Sequence, residues 1–329
     1  MGVDLLSALA DGINAAVGPT AAVFALAAIG LNVHYGYTGL LNFGQVGFML
    51  VGAYGLAISV SLWGVSFWAG IGVAILASVA LALLLGLPTL RLRADYLAIA
   101  TIAAAEILRF VLRSSPAVPY TGGQFGIPSH AGGPGFHQTF LALSPFSGDR
   151  YDIGLLTFTG SRLWAAIVGW SLVLLCLVLV WTLMRSPWGR VIKSIREDED
   201  AARALGKNTF AYKMQALILG GVLGGIGGVV MALSQQAVSP DQFLPQLTFY
   251  AYAVLILGGA ATVIGPLVGS LLFWFVLLSV ESVLRQGAVV DSGAIGAIRL
   301  MLVGVVLVVL MAFRPQGIFG NKREMMLDA

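Results

Sequence analysis

Few side chains in this sequence could do chemistry, and most of those lie in apolar surroundings. Asn32, Thr38, Asn42 and Gln45 fall within the run NVHYGYTGLLNFGQVG, interleaved with Gly36, Gly39, Gly44 and Gly47. Neutral amides and hydroxyls offer donors and acceptors without charge. They could line a translocation pathway or gate, or bond to neighbouring helices in a tight cytoplasmic turn; irregular backbone at membrane depth allows both. A second glycine-interrupted run, LGGAATVIGP, carries Gly258 and Gly259. Interrupted apolar segments in the two halves of a chain point to a transporter midplane. No letter-for-letter repeat joins the two runs.

Ionisable groups in the apolar segments sit in pairs. Glu106 and Arg109 are three apart, and Glu281 and Arg285 four apart, so each acid has a cation on its own helix face. A proton or sodium pump needs unpaired acids deep in the membrane, and this pattern argues against one. His130 and His137 have no carboxylate or cysteine at metal spacing and read as surface histidines, while His34 falls at a span end. There is no G-x-x-x-x-G-K-[ST] and no H-E-x-x-H. The chain therefore reads as a non-enzyme with no metal or cofactor of its own.

The elements that must position these residues are membrane helices. Of 329 residues 58% are hydrophobic and only 10% charged, with mean hydropathy +0.92; a soluble domain carries about 25% charge. The net charge of +3 is too small to point to nucleic acid. The single cysteine, Cys176, excludes an internal disulfide. The expected fold class is an all-α integral membrane protein, a polytopic helical bundle forming one domain over 1–329. About nine transmembrane segments are expected, at 20–34, 42–60, 66–86, 95–113, 163–184, 211–233, 247–263, 266–285 and 295–313; the first and seventh are short for a bilayer. Residues 1–18 are weakly amphipathic and suit a surface helix, with no basic region of the signal-peptide kind. Residues 114–162 are rich in Gly, Pro, Ser and Thr and read as an outer loop. Gly220, Gly224 and Gly228 share one helical stripe, a packing face for another helix of this chain or of a neighbouring subunit.

Charge fixes the orientation. With 185–213 inside, alternation places Arg91, Arg93, Arg314, Lys322 and Arg323 inside as well. The outer segments 114–162 and 234–246 then hold Arg150 and Arg162 as their only basic residues. This puts the N-terminus outside and the C-terminus on the cytoplasmic side of the membrane.

The most densely charged stretch, SPWGRVIKSIREDEDAARALGKNTFAY, lies on that inner face. Residues 189–206 lack an obvious helix breaker, and Gly206 with Lys207 suits a C-terminal cap. The stretch could be a solvated loop that sets topology, or a docking helix for a cytoplasmic partner.

Its segment DAARALG (200–206) resembles the E-A-A-x-x-x-G loop of ABC importer permeases, with Asp for Glu. The longer segments 31–54, 92–109, 121–128, 186–213 and FRPQGIFG (313–320) resemble the LivM-type permease subunits of branched-chain amino acid importers. The resemblance implies an ATP-driven importer for branched-chain or related amino acids, or for short amides such as urea. Its implied partners are a second related permease, two cytoplasmic ATPases that bind ATP and Mg, and a periplasmic substrate-binding protein. It also implies that 197–206, within a coupling loop at 189–207, docks on an ATPase through Glu197, Asp198, Asp200, Ala201, Ala202 and Gly206. The Leu-Pro pair that often follows the family glycine is missing here. A secondary transporter with inverted repeats is the alternative reading.

Overall fold

The computed structural model describes residues 5–92, 94–128, 135–146, 148, 150–154, 156–286, 292–313 and 316–320. Expectations placed on Arg93, His130, Arg314, Lys322 and Arg323 lie outside them. The fold is all-α with two small two-stranded sheets.

Helix α1 (Leu5–Val17) leads through Gly18 into α2 (Pro19–Leu31), which continues as a π-helix over Asn32–Tyr37. The bend at Gly18-Pro19 is 47°, where Pro19 sits at the first helical position and its missing N–H is no loss. Every α2 residue except Thr20 is buried. That is why its sequence is apolar all round, as a helix at the centre of a bundle must be. Helix α3 is Gln45–Ser61, α4 Phe67–Thr89 and α5 Ala94–Arg113.

The segment 114–162 is more structured than a loop. It holds α6 (Val118–Thr121), β1 (Ile127–Pro128), α7 (Phe136–Ala142), and a hairpin of β2 (Arg150–Ile153) with β3 (Leu156–Thr159). His137 is buried, not a surface residue: its Nδ1 lies 3.0 Å from the Leu233 carbonyl. The glycine-rich sequence conceals a helix stub that caps the bundle with Phe136 and Phe140, both fully covered.

Helix α8 (Gly160–Arg185) runs to the charged stretch, which is two helices rather than one: α9 (Pro187–Glu197) and α10 (Glu199–Ala204). The break falls at Asp198, whose backbone is extended (φ −154°) and whose carboxylate accepts the Ala201 N–H at 2.9 Å. A short acid that competes for backbone donors makes a better N-cap than a mid-helix residue. At the far end, Gly206 (φ +78°) lets Lys207 N–H reach the Ala202 carbonyl and Gly206 N–H the Arg203 carbonyl, a Schellman closure.

Helix α11 (Thr209–Gln235) is followed by β4 (Ala237–Val238), α12 (Gln246–Gly258), α13 (Gly265–Gln286) and α14 (Ser292–Phe313). Helices thus occupy all nine expected segments. Among the described residues, four (α4, α8, α11 and α13) are long and apolar enough to cross a membrane singly, and α1 with α2 through the π-helix would make a fifth as one bent span. Helices α3 and α12, with 17 and 13 residues, are too short to cross alone. Helix α5 carries Asp95, Glu106, Arg109 and Arg113.

Packing centres on α11. A Cβ on Gly220 would strike the His34 ring and the Gly30 carbonyl, one on Gly224 the Gln45 amide, and one on Gly228 the Met49 carbonyl. The glycine stripe therefore packs within the chain, backbone against backbone, on α2, α3 and the π-helix. Helix α1 lies on α13, where Ser282 Oγ donates to Asp11 Oδ2 at 2.6 Å. Two bundle ends are distinct. At one, β1 pairs with β4 (Ile127 opposite Val238) and Arg109 meets Asp241 at 3.2 Å. At the other, the Ile318 N–H bonds the Leu257 carbonyl at 3.0 Å, and the Arg91 guanidinium lies 5.9 Å from the Phe210 ring centroid.

Because α11 touches α3 through bare backbone at Gly228, Gly228→Val should destabilise the bundle by about 1–3 kcal/mol, the usual range for overpacking. Thermal unfolding in detergent measures this; an unchanged midpoint would show that the close approach is dispensable.

Candidate functional site

The two glycine-interrupted runs meet. The π-helix widens the turn at Asn32–Tyr37, and irregular backbone follows before α3 starts at Gln45. The chain breaks again after Gly258. Asn32 ties the breaks together: its Nδ2 donates to the Thr262 carbonyl at 2.7 Å, and its Oδ1 accepts the Ala261 N–H at 2.8 Å. Both backbone groups belong to a turn that could not satisfy them alone, since Gly259 (φ +116°) and Ala261 (φ +60°) lie outside helical geometry. The loose end of α12 is closed from a third side by the Ile318 and Phe319 N–H groups, bonded to the Leu257 and Gly258 carbonyls.

Behind this joint lies a buried amide network. Asn42 Nδ2 donates to Gln45 Oε1 at 3.1 Å and faces His34 Nδ1 at 3.0 Å, while Asn42 Oδ1 accepts the Gly44 N–H at 2.9 Å. Gln45 Nε2 donates to the Gly220 carbonyl at 3.1 Å, and His34 Nε2 faces the Leu217 carbonyl at 3.1 Å. Each contact is satisfied only when His34 is neutral with its proton on Nε2: a carbonyl needs a donor and an amide N–H₂ needs an acceptor. Tyr252 Oη donates to the Asn42 carbonyl at 3.0 Å, and Thr248 Oγ1 accepts the Val46 N–H at 3.0 Å. Gly220 lies eleven residues into α11 from Thr209, ~16 Å along its axis at 1.5 Å per residue. A bilayer crossed by α11 would therefore hold the network at hydrocarbon depth, where its non-helical backbone is tolerated because protein surrounds it.

Asn42 and Gln45 are fully buried, with their amides committed to protein partners. Thr38 is buried too and donates to the Val33 carbonyl at 2.7 Å. Gly39 (φ +74°) lies against the Arg196 side chain. This is where the charged stretch enters. Arg196, at the end of α9, donates from Nη1 to the Gly36 carbonyl at 2.5 Å. The last turn of α9 is thereby fastened to a π-helix carbonyl.

The residues expected to dock a partner form a separate surface beyond that link. Glu197, Asp198, Asp200, Ala201 and Gly206 are exposed, whereas Ala202 is buried and seats α10 on the bundle. Asp198 also serves as the N-cap. Asp200 is 91% exposed even though Arg203 bridges it and Glu199, each at 3.1 Å. Lys213 of α11 also holds Glu199. Burial alone would raise the Glu199 carboxyl, but bonds to Lys213 and Thr209 and the charges of Lys213 and Arg203 hold it below its ordinary range. Leu205, 81% exposed, stands beside these acids.

The sequence reading missed His34 as a network member, Arg196 as the link, and Asp241 as a third partner in the Glu106–Arg109 pair. An arginine directly preceding an acidic run was a usable signal for the second. The first and third depend on contacts across 183 and 132 residues. Among the described residues no group of three His, Cys, Asp or Glu side chains could hold a metal. Asn42→Ala would orphan His34 Nδ1, the Gly44 N–H and one Gln45 acceptor. Each buried orphan costs about 1–3 kcal/mol, so the melting midpoint in detergent should fall well below wild type; an equal midpoint would mean water replaces the amide.

The family model for the permease component of branched-chain amino acid transport systems matches residues 16–311. The high-affinity branched-chain amino acid transport system permease protein LivM of Salmonella typhimurium is 32% identical over 92% of this chain and 68% of its own length. Its Escherichia coli counterpart is 31% identical over the same shares. A probable branched-chain amino acid transport permease LivM from Methanocaldococcus jannaschii is 24% identical over 91% of both chains. With the family model spanning most of its length, the chain belongs to the family of branched-chain amino acid transport system permease components.

Proposed function

We propose that this permease forms one half of the pathway of an ATP-driven importer for branched-chain amino acids, and that α10 is the helix through which cytoplasmic ATPases move it. The observation that carries the reading is the Arg196–Gly36 bond, which fastens the last turn of α9, directly before the acidic α10, to the interrupted joint inside the bundle. A second permease would complete the pathway, two ATPases would bind ATP and Mg, and a periplasmic binding protein would deliver substrate. Family membership supports this set. It does not favour a secondary transporter or a urea-specific relative.

Positive charge supports the orientation. Arg91, Arg185, Lys193, Arg196, Arg203 and Lys207 belong to the end placed in the cytoplasm. The nine helical segments then alternate across the membrane, with α2 and α12 as interrupted spans that the surrounding helices complete. The N-terminus is outside and the C-terminus inside. The exposed faces of Glu197, Asp200 and Leu205 fit an ATPase groove that takes both charge and an apolar side chain.

Mechanically, such a subunit needs two states that differ by a few kcal/mol, with a partner to bias them. The π-helix and the 259–264 turn are the places where backbone can change without breaking a regular helix. Asn32, Asn42 and Gln45 act there as a gate: their bonds hold the closed arrangement, and opening would hand amides and carbonyls to a zwitterion.

In vesicles containing all partners, wild type should take up leucine with ATP and stop without it. Glu197→Lys with Asp200→Lys should abolish ATPase co-purification while the bundle stays monodisperse. Arg196→Leu should keep ATPase binding but lower uptake roughly 10- to 100-fold, the effect of losing a charge-assisted bond of about 1.5–3 kcal/mol. Uptake at the wild-type rate by Arg196→Leu would remove the link. Equal uptake by Asn42→Ala with Gln45→Ala, at equal expression, would remove the gate.

A further inference from the structure

A cleft of about 460 Å³ opens where α8 ends, between α9, the 259–264 turn and Phe319. Among the described residues Arg185 and Lys193 line it, and no Asp or Glu does. Arg185 stacks on Trp181, its guanidinium carbon 4.1 Å from the ring centroid, and Lys193 Nζ lies 5.8 Å from the Tyr37 ring centroid. The remaining wall is mostly apolar, Thr262 apart, with Ile264 and Phe319 half exposed. Above the cleft Leu174, Val178 and Trp181 are exposed. With Arg185 they follow a 4-3-4 spacing along one face of α8, so an apolar track ends at a cation. Two cations at the foot of an apolar track, with no acid among the described lining residues, match a phosphodiester headgroup and its acyl chain.

The geometry points to a binding site for one anionic phospholipid of the inner leaflet, phosphate between Arg185 and Lys193 and acyl chain along Leu174–Val178–Trp181. This rests on the inner-face placement of Arg185 proposed above. It goes beyond the transport reading because the ligand is neither substrate nor partner subunit. The lipid would touch α8, α9, Tyr37 of the π-helix and the 259–264 turn together, so the joint would carry a lipid wedge. Free phosphate would satisfy the cations but leave the track bare.

The test is tryptophan quenching in nanodiscs holding the assembled complex, with tail-brominated phosphatidylglycerol or phosphatidylcholine as the same minor fraction. Brominated phosphatidylglycerol should quench more, and Trp181→Phe should remove the excess. Equal quenching by both lipids, or an excess that survives Trp181→Phe, overturns the site and points to a second subunit covering this face. Arg185→Gln with Lys193→Gln should weaken retention of phosphatidylglycerol in native mass spectra ~30-fold, about fivefold per basic residue, while Arg162→Gln at the other end should not. Undiminished retention in the double variant also overturns it. Both readouts are independent of transport, so the lipid site and the import reading can fail separately.

Discussion

Everything inside the bundle depends on satisfying backbone that is not helical at a depth where water is scarce. The chain leaves regular α geometry between Asn32 and Gln45 and again between Gly258 and Gly265. An orphaned amide or carbonyl there costs several kcal/mol in lipid. Three side-chain amides, one neutral imidazole, and the Tyr252 and Thr248 hydroxyls meet that demand. The glycines of α11 make the arrangement possible by letting the Gly220 carbonyl come within reach of Gln45. Bulk at Gly220 or Gly224 would push α11 away and strand the amides. Composition, packing and polarity in this region are therefore one constraint.

The same constraint suits the moving part proposed for the joint. A rigid helix transmits displacement; an interrupted one absorbs it. Here two interruptions are bonded to each other through Asn32, and one is bonded to α9 through Arg196. Two states of the joint would exchange hydrogen bonds of similar strength, which keeps their free energies close. The acidic face of α10 lies outside this network, so a partner can grip it without disturbing buried groups.

Much of this was legible in the sequence, for physical reasons. Membrane helices announce themselves through hydropathy: helices occupy all nine expected segments, and among the described residues four of them, or five with the bent α1–α2 pair, are long and apolar enough to cross a membrane. The interruptions were legible because Gly and Pro mark them. The pairing of Glu106 with Arg109 followed from spacing alone. What was illegible lay in long-range contacts. Nothing local says that His137 points into the bundle toward Leu233, or that Asp198 stops a helix whose neighbours are good helix formers. Asn42 and Gln45 looked equally suited to water and to protein; their neighbours across 8 and 175 residues decide that they face protein in this state. Span length was legible in part: the seventh segment is short as its sequence suggested, 13 residues in α12, whereas α3, with 17, also falls short of a crossing.

The claim at the centre is that displacement of the inner acidic helix reaches the 259–264 turn through one arginine. Spin labels at exposed Leu62 and Ile264 in the assembled complex, with Cys176 replaced by Ser, measure that turn against the opposite end. In wild type the label distance should change when ATP binds the partner ATPases, and in Arg196→Leu with ATPases still attached the change should vanish. A full change in Arg196→Leu would contradict the account.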